Sequence, residues 1–142
     1  MSTDKVHGIA SVFRALSNDR AMYLFRAIAI ERKEPDVLRA DLKLTPKQYY
    51  SRISALTKSN LVQKKGGMLS LTSFGKLVYE SQLTIEKGLE DLSKLKVIDS
   101  LETSSDLSKE ECDNIVNILI QNREIKTILE KKLNGELNIR IK

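Results

Sequence analysis

The segment that begins at Thr45 constrains the fold most, because it contains an unusually clear helix start. Thr45 is a good N-cap, since its hydroxyl can accept a hydrogen bond from a free backbone N–H, and Pro46 suits the first helical position. Apolar residues then recur at steps of four and three, which is the spacing of one helix face. The pattern predicts a helix over about residues 46–58 whose inward face carries Tyr49, Ile53 and Leu56.

A short hairpin is predicted directly after this helix. Residues 61–65 and 68–71 have strand-like patterns, and Gly66-Gly67 between them tolerates the positive φ angles of a two-residue turn. Thr72 then caps a further helix. The sequence therefore predicts a helix, a hairpin at about 61–71 and another helix in immediate succession.

The flanking residues add helices on both sides. Residues 11–31 predict a helix that is broken near Ser17, and Pro35 begins a short helix. After the hairpin, one long helix is predicted over 73–92, followed by a polar loop over 96–107. Ser108 and Glu111 have the spacing of a capping box. They begin a helix that reaches residue 133 with a break at 121–124, and a short strand or loose tail follows at Leu137, Ile139 and Ile141.

This order of elements is that of a winged helix-turn-helix: a mainly α fold with a small β-hairpin wing, followed by C-terminal helices. Residues 44–80 also resemble the winged helix-turn-helix transcription regulators of the ArsR/MarR kind, most of all the small archaeal ones. The likeness lies in the "Leu-Thr-Pro" helix entry, in "Asn-Leu-Val" before the hairpin and in "Leu-Thr-x-x-Gly-Lys" after it. Asn60 stands where those families usually have Gly, although Asn also tolerates a left-handed backbone.

The resemblance implies that the winged helix-turn-helix domain, predicted over residues 8–95, binds DNA, whereas residues 96–142 are predicted to form a helical extension that dimerises. The resemblance does not imply metal sensing, because the cysteine and histidine ligands of ArsR sensors have no counterpart here. The chain has one cysteine and one histidine, which cannot form a usual structural zinc site. We therefore expect no metal and no cofactor.

The charge pattern points to a polyanion as partner. The 38 residues from Leu42 to Tyr79 contain seven basic residues and no acidic one. Residues 1–80 have a net charge of +7 and residues 81–142 a net charge of −2. A segment of one sign favours a nucleic acid, although a solvated basic face has the same composition.

Candidate contacts with double-stranded DNA lie on the predicted recognition helix and on the wing. Gln and Arg can each form paired hydrogen bonds with one base in the major groove, whereas Lys and Ser more often bind phosphates. Lysines beside the hairpin turn would neutralise backbone phosphates, or simply protect an exposed strand edge. The residues predicted to bind DNA are Lys47, Gln48, Tyr50, Ser51, Arg52, Lys58, Lys64 and Lys65.

The apolar stripes of the second half predict a homodimer, because they exceed what one small domain needs. The alternative is that these helices fold back and complete one monomeric core. We expect the set at Ile125, Leu129 and Leu133 to remain exposed in a single chain, and a two-fold pair of chains would bury it. The predicted dimerisation residues are Ile85, Leu89, Leu92, Ile115, Leu119, Ile125 and Leu129.

Three classes of function remain to be compared. The sequence favours a cytoplasmic, homodimeric, sequence-specific DNA-binding transcription regulator without a membrane segment, and it identifies no small-molecule effector. A winged helix that binds a protein of the transcription machinery is the alternative. An enzyme is disfavoured, because no phosphate-binding glycine motif and no Ser-His-Asp or Cys-His set is recognisable.

Overall fold

The computed structural model describes residues 3–30, 34–104 and 106–133, and the side chains of residues 8–30, 34–104 and 106–130. The chain divides into two compact units, Met1–Glu80 and Ser81–Lys142. The assignment of domain roles to 8–95 and 96–142 stays a prediction. The elements are α1 (Thr3–Ala15), α2 (Asp19–Ile30), α3 (Pro35–Asp41), α4 (Pro46–Lys58), β1 (Val62–Lys65), β2 (Met68–Leu71), α5 (Ser73–Glu90), α6 (Leu92–Glu102), α7 (Lys109–Leu119) and α8 (Arg123–Leu133).

The N-terminal unit has the predicted winged helix-turn-helix architecture. Helices α3 and α4 are separated by residues 42–45, and β1 and β2 pair in antiparallel register from Val62↔Leu71 to Lys65↔Met68. Gly66 and Gly67 both have positive φ, at 57° and 81°, as the predicted two-residue turn requires. Over the described residues the chain is therefore mainly helical, and a two-stranded antiparallel hairpin follows the first four helices.

One continuous core holds this unit together. The inward face of α4 lies in it as the spacing predicts, with Tyr49 and Leu56 buried and Ile53 packed against them. Burial of such aliphatic and aromatic side chains is the main favourable term in folding. The buried members of the core are Ala15, Leu16, Leu24, Phe25, Ile28, Leu38, Leu44, Tyr49, Leu56, Leu61, Val62 and Leu71.

Local signals fix the ends of these helices. The Asn18 side chain accepts a hydrogen bond from the Ala21 N–H (2.9 Å), so the predicted break near Ser17 is confirmed as the start of α2. Asn60 has φ of 63°, which confirms that Asn takes the left-handed conformation here. Lys43 has φ of 53°, which nothing in its sequence neighbourhood indicated, since neither Gly nor Asn is present at that turn.

The helices of the C-terminal unit differ from the prediction at one place. The predicted loop at 96–107 is wrong over its first half, because α6 extends from Leu92 to Glu102. Ile98 of this helix is buried against Val116, Ile120 and Ile125, and that tertiary contact outweighs the polar, loop-like composition around it. The capping box of Ser108 with Glu111 is confirmed, as is the break between α7 and α8.

Leu137, Ile139 and Ile141, predicted as a strand or tail, lie outside the described residues. None of the helices over 3–30, 34–104 and 106–133 is long and apolar enough to cross a membrane.

Candidate nucleic-acid interface

Helix α4 begins at a reciprocal cap that the sequence only half indicated. The Thr45 hydroxyl accepts a hydrogen bond from the Gln48 backbone N–H (3.2 Å), and the Gln48 side-chain oxygen accepts one from the Thr45 backbone N–H (3.0 Å). Two otherwise unpaired N–H groups are satisfied in this way. Gln48, predicted as a base-reading residue, therefore also has a local structural role.

The outward face of α4 presents polar side chains to solvent. Lys47, Gln48 and Ser51 are exposed in its first half, and Lys58 is exposed at its last residue. Arg52 is half-buried, and its Nε atom is buried without a hydrogen-bond partner among the described residues. The guanidinium is thus held partly against the protein while one of its donors remains unused.

Two adjacent tyrosines occupy opposite environments on α4. Tyr50 is 67% exposed, whereas Tyr49 is only 3% exposed. Their rings meet edge to face, with centroids 5.3 Å apart at an interplanar angle of 77°. Burial raises the pKa of the Tyr49 hydroxyl, with smaller contributions from Tyr50 and Asp36. Contact with a fixed neighbour limits the directions in which the Tyr50 ring can point.

The wing carries its two lysines next to the turn. Lys64 pairs with Leu69 and Lys65 with Met68, and both lysine side chains are exposed. The acid-free segment extends from the helix-turn-helix turn through α4 and the wing into α5. The segment contains no carboxylate that could neutralise its seven cations, and such a charge pattern attracts anions.

The predicted dimerisation residues separate into two groups. Ile85 and Leu89 are 61% and 65% exposed, and Leu92 is exposed as well. Leu119 and Leu129, by contrast, pack against the core of the C-terminal unit, and Ile125 is buried in it. Ile115 is half-buried.

The expectation that Ile125 and Leu129 remain exposed in a single chain is therefore wrong. Val116, Ile120 and Ile98 of the same chain cover Ile125, because α6 forms a helix where a loop was predicted. The side chain of Leu133 lies outside the described residues. Among the described side chains, the predicted dimerisation residues that are exposed are Ile85, Leu89 and Leu92.

The sequence did not identify the contacts that link the wing to α5. Thr72, Gly75 and the backbone of Asn60 and Leu61 meet at the base of the hairpin. The signal was present in the "Leu-Thr-x-x-Gly" string, of which only the helix cap was interpreted.

A scan of protein-family models finds no match to this chain. A search of curated proteins also finds none. Among solved structures, the chain is similar to the crystal structure of NolR from Sinorhizobium fredii, at 18% sequence identity and a TM-score of 0.48. The similarity covers 59% of this chain and 91% of that one. The likeness to archaeal regulators stays a prediction.

Proposed function

We propose that this protein is a sequence-specific, double-stranded DNA-binding transcription regulator that acts as a homodimer. Helix α4 enters the major groove, and the wing at about 61–71 lies on the DNA backbone. The observation that carries the proposal is the acid-free basic segment from Leu42 to Tyr79, which coincides with the helix-turn-helix turn, α4 and the wing. In a winged helix-turn-helix these are the elements that face DNA.

The residues of α4 divide into readers and anchors by their chemistry. Arg52 is the best candidate for reading a base, since a guanidinium can bond the O6 and N7 atoms of guanine together. Gln48 ranks below Arg52, because its side-chain oxygen already accepts a hydrogen bond from the Thr45 N–H. Lys47, Ser51 and Lys58 bind phosphates or sugars, and Tyr50 offers an exposed ring for contact with the backbone or a base edge.

The wing lysines contribute to the affinity for DNA rather than to the discrimination between DNA sequences. Lys64 and Lys65 are exposed beside a two-residue turn, which is too short to enter a minor groove deeply. Their ammonium groups neutralise phosphates, and the counterions that leave make binding depend on salt. We therefore expect them to contribute equally on all duplexes.

The homodimer is supported by the exposed aliphatic side chains at Ile85, Leu89 and Leu92. A second copy of the chain would cover these side chains and would supply a second α4 for a second half-site. A pair of chains has a mass of about 32 kDa, twice the 16.1 kDa of one chain.

The test is a selection of bound sequences from random duplex DNA, followed by affinity measurements on the selected pool at several salt concentrations. About six neutralised phosphates per dimer predict a log–log slope near −5. The control is single-stranded DNA of the same sequences. Absence of binding to the pool at about 50 mM salt would show that the proposed function is wrong.

One observation favours a second candidate, a protein-binding winged helix. Tyr23, Ile30 and Val37 are exposed on α2 and α3. Tyr23 and Ile30 also line a cavity of about 280 Å³, together with Arg26, Ala27, Leu38, Asp41 and Leu42. Exposed apolar groups around a concavity are typical of protein interaction sites. This candidate predicts a stable partner complex that persists when Arg52 and Lys65 are replaced by alanine.

A further inference from the structure

We infer that Thr72 and Gly75 form a joint that fixes the wing relative to α4 and thereby decides whether Lys64 and Lys65 reach the DNA backbone. This inference rests on the proposed function for its consequence, but its geometry can be tested without DNA. Thr72 and Gly75 are positioning residues, since they act through the wing rather than by touching DNA.

The connection between α4 and the wing is short enough for one joint to control it. Only Ser59, Asn60 and Leu61 separate the last residue of α4 from the first residue of β1. Leu61 is buried, and its N–H donates to the carbonyl oxygen of Leu56 (2.9 Å), which ties the connection back to α4. Movement of this connection therefore moves the start of the hairpin.

Thr72 binds the same connection from the other end of the hairpin. Its hydroxyl donates to the carbonyl oxygen of Asn60 (2.5 Å) and accepts from the N–H of Gly75 (2.8 Å). Its own backbone N–H donates to the carbonyl oxygen of Leu61 (3.1 Å). One residue thus joins the exit of α4, the end of β2 and the first turn of α5.

Gly75 allows α5 to approach this connection closely. It is buried, and a β-carbon placed on it would overlap the carbonyl oxygen of Leu61 and lie 2.9 Å from the carbonyl carbon. These are backbone atoms, so no side chain can rotate to relieve the overlap. Any side chain at position 75 must therefore push α5 and the start of β1 apart, and this separation displaces the wing.

The joint lies at the base of the hairpin, and the base sets the direction in which the exposed tip of the wing points. A two-stranded ribbon is marginal by itself in water. Val62 and Leu71, at its base, are buried in the core, whereas both lysines near its tip are exposed. A small rotation at the base is therefore carried to the lysines.

A matched pair of glycine substitutions tests the joint in the full-length protein. Gly75→Ala introduces the overlap, whereas Gly8→Ala adds the same methyl group at an exposed position of another helix, α1, with no neighbouring group within 4 Å. Thr72→Val is the second variant, since it removes the hydroxyl and keeps the shape. Each is combined with the double substitution Lys64→Ala and Lys65→Ala.

We expect Gly8→Ala to bind the selected duplex with native affinity and native salt slope. Gly75→Ala and Thr72→Val should lose about eightfold in affinity at ~0.1 M salt for each phosphate contact that the wing gives up, with a shallower slope. Removing the two lysines should then cost little more in either background. A loss of general stability would not produce this non-additivity, nor would it change the slope.

Limited digestion with trypsin gives a second measurement that needs no DNA. Cleavage after Lys64 and Lys65 should be faster in Gly75→Ala and Thr72→Val than in Gly8→Ala. The joint is disproved if the folded Gly75→Ala protein keeps the native salt slope and native cleavage rate, or if its effect adds fully to that of the lysine substitutions. If the native protein binds no duplex, the proposed function fails, and the digestion still decides whether the joint exists.

Discussion

The two compact units of this protein use similar amphipathic helices for opposite kinds of surface. Residues 1–80 have a net charge of +7 and present polar and basic side chains on α4 and the wing, around a core of twelve buried residues. Residues 81–142 have a net charge of −2, a core of four buried residues among those described, and exposed aliphatic side chains at Ile85 and Leu89. What each helix leaves uncovered, rather than its fold, distinguishes the surface that we propose for DNA from the one that we propose for a second chain.

The largest effect is expected from a substitution in the exposed aliphatic surface of the C-terminal unit. Leu89→Asp should give monomers and should lower DNA affinity by at least about 100-fold, because binding with one α4 instead of two loses the second half-site. Light scattering measures the mass, and fluorescence anisotropy measures the affinity for DNA. Lys126→Asp, a charge change in the same unit outside the aliphatic set, is the control. A native protein of about 16 kDa at tens of micromolar would contradict the dimer.

A core substitution tests whether the two units are stabilised separately. Ile120 is completely buried in the C-terminal core, so Ile120→Ala should cost about 2–5 kcal/mol in the unit that contains it. Hydrogen exchange should show lost protection in α7 and α8 with the amides of β1 unchanged. The exposed Ile118→Ala in the same helix should have little effect. Equal loss of protection in both units would show that the two units are stabilised together rather than separately.

A smaller effect distinguishes reading from anchoring within the basic surface. Arg52→Ala should cost about 1–3 kcal/mol on the selected duplex and less on random DNA. Lys65→Ala should weaken both duplexes equally and reduce the salt slope by about 1. Competition binding at two salt concentrations measures both quantities. If Lys65 determines sequence preference and Arg52 does not, the roles of helix and wing are reversed.

The smallest effect concerns Tyr49. Its hydroxyl is buried without a described partner, so Tyr49→Phe should change the free energy of unfolding by less than about 1 kcal/mol, or increase it. Burial raises the pKa of this hydroxyl in the folded protein. The unfolded chain therefore releases the proton more readily, and stability falls as the pH rises above about 10. Denaturation in urea between pH 8 and 11 should show a smaller decline for Tyr49→Phe.

The sequence predicted those parts of the fold that depend on neighbours along the chain. The caps at Thr45 and Ser108 and the turn at Gly66-Gly67 are local, and all three are confirmed. It did not predict α6, because Ile98 gains its stability from residues about twenty positions away. Of the candidate site, the exposure of the α4 face follows from helical period, but the second role of Gln48 depends on a side-chain rotamer.

The fixed ends of α4 have a consequence for how such a protein can change over evolutionary time. The capping box holds its first residue, and the left-handed backbone of Asn60 follows its last, so the 13-residue helix has a defined length of about 20 Å. Substitutions at its outward positions other than Gln48, which takes part in the capping box, leave both ends and the buried face unaltered. If the proposed function holds, new sequence preferences can therefore arise by exchange of a few exposed side chains, while the scaffold that presents them is inherited unchanged.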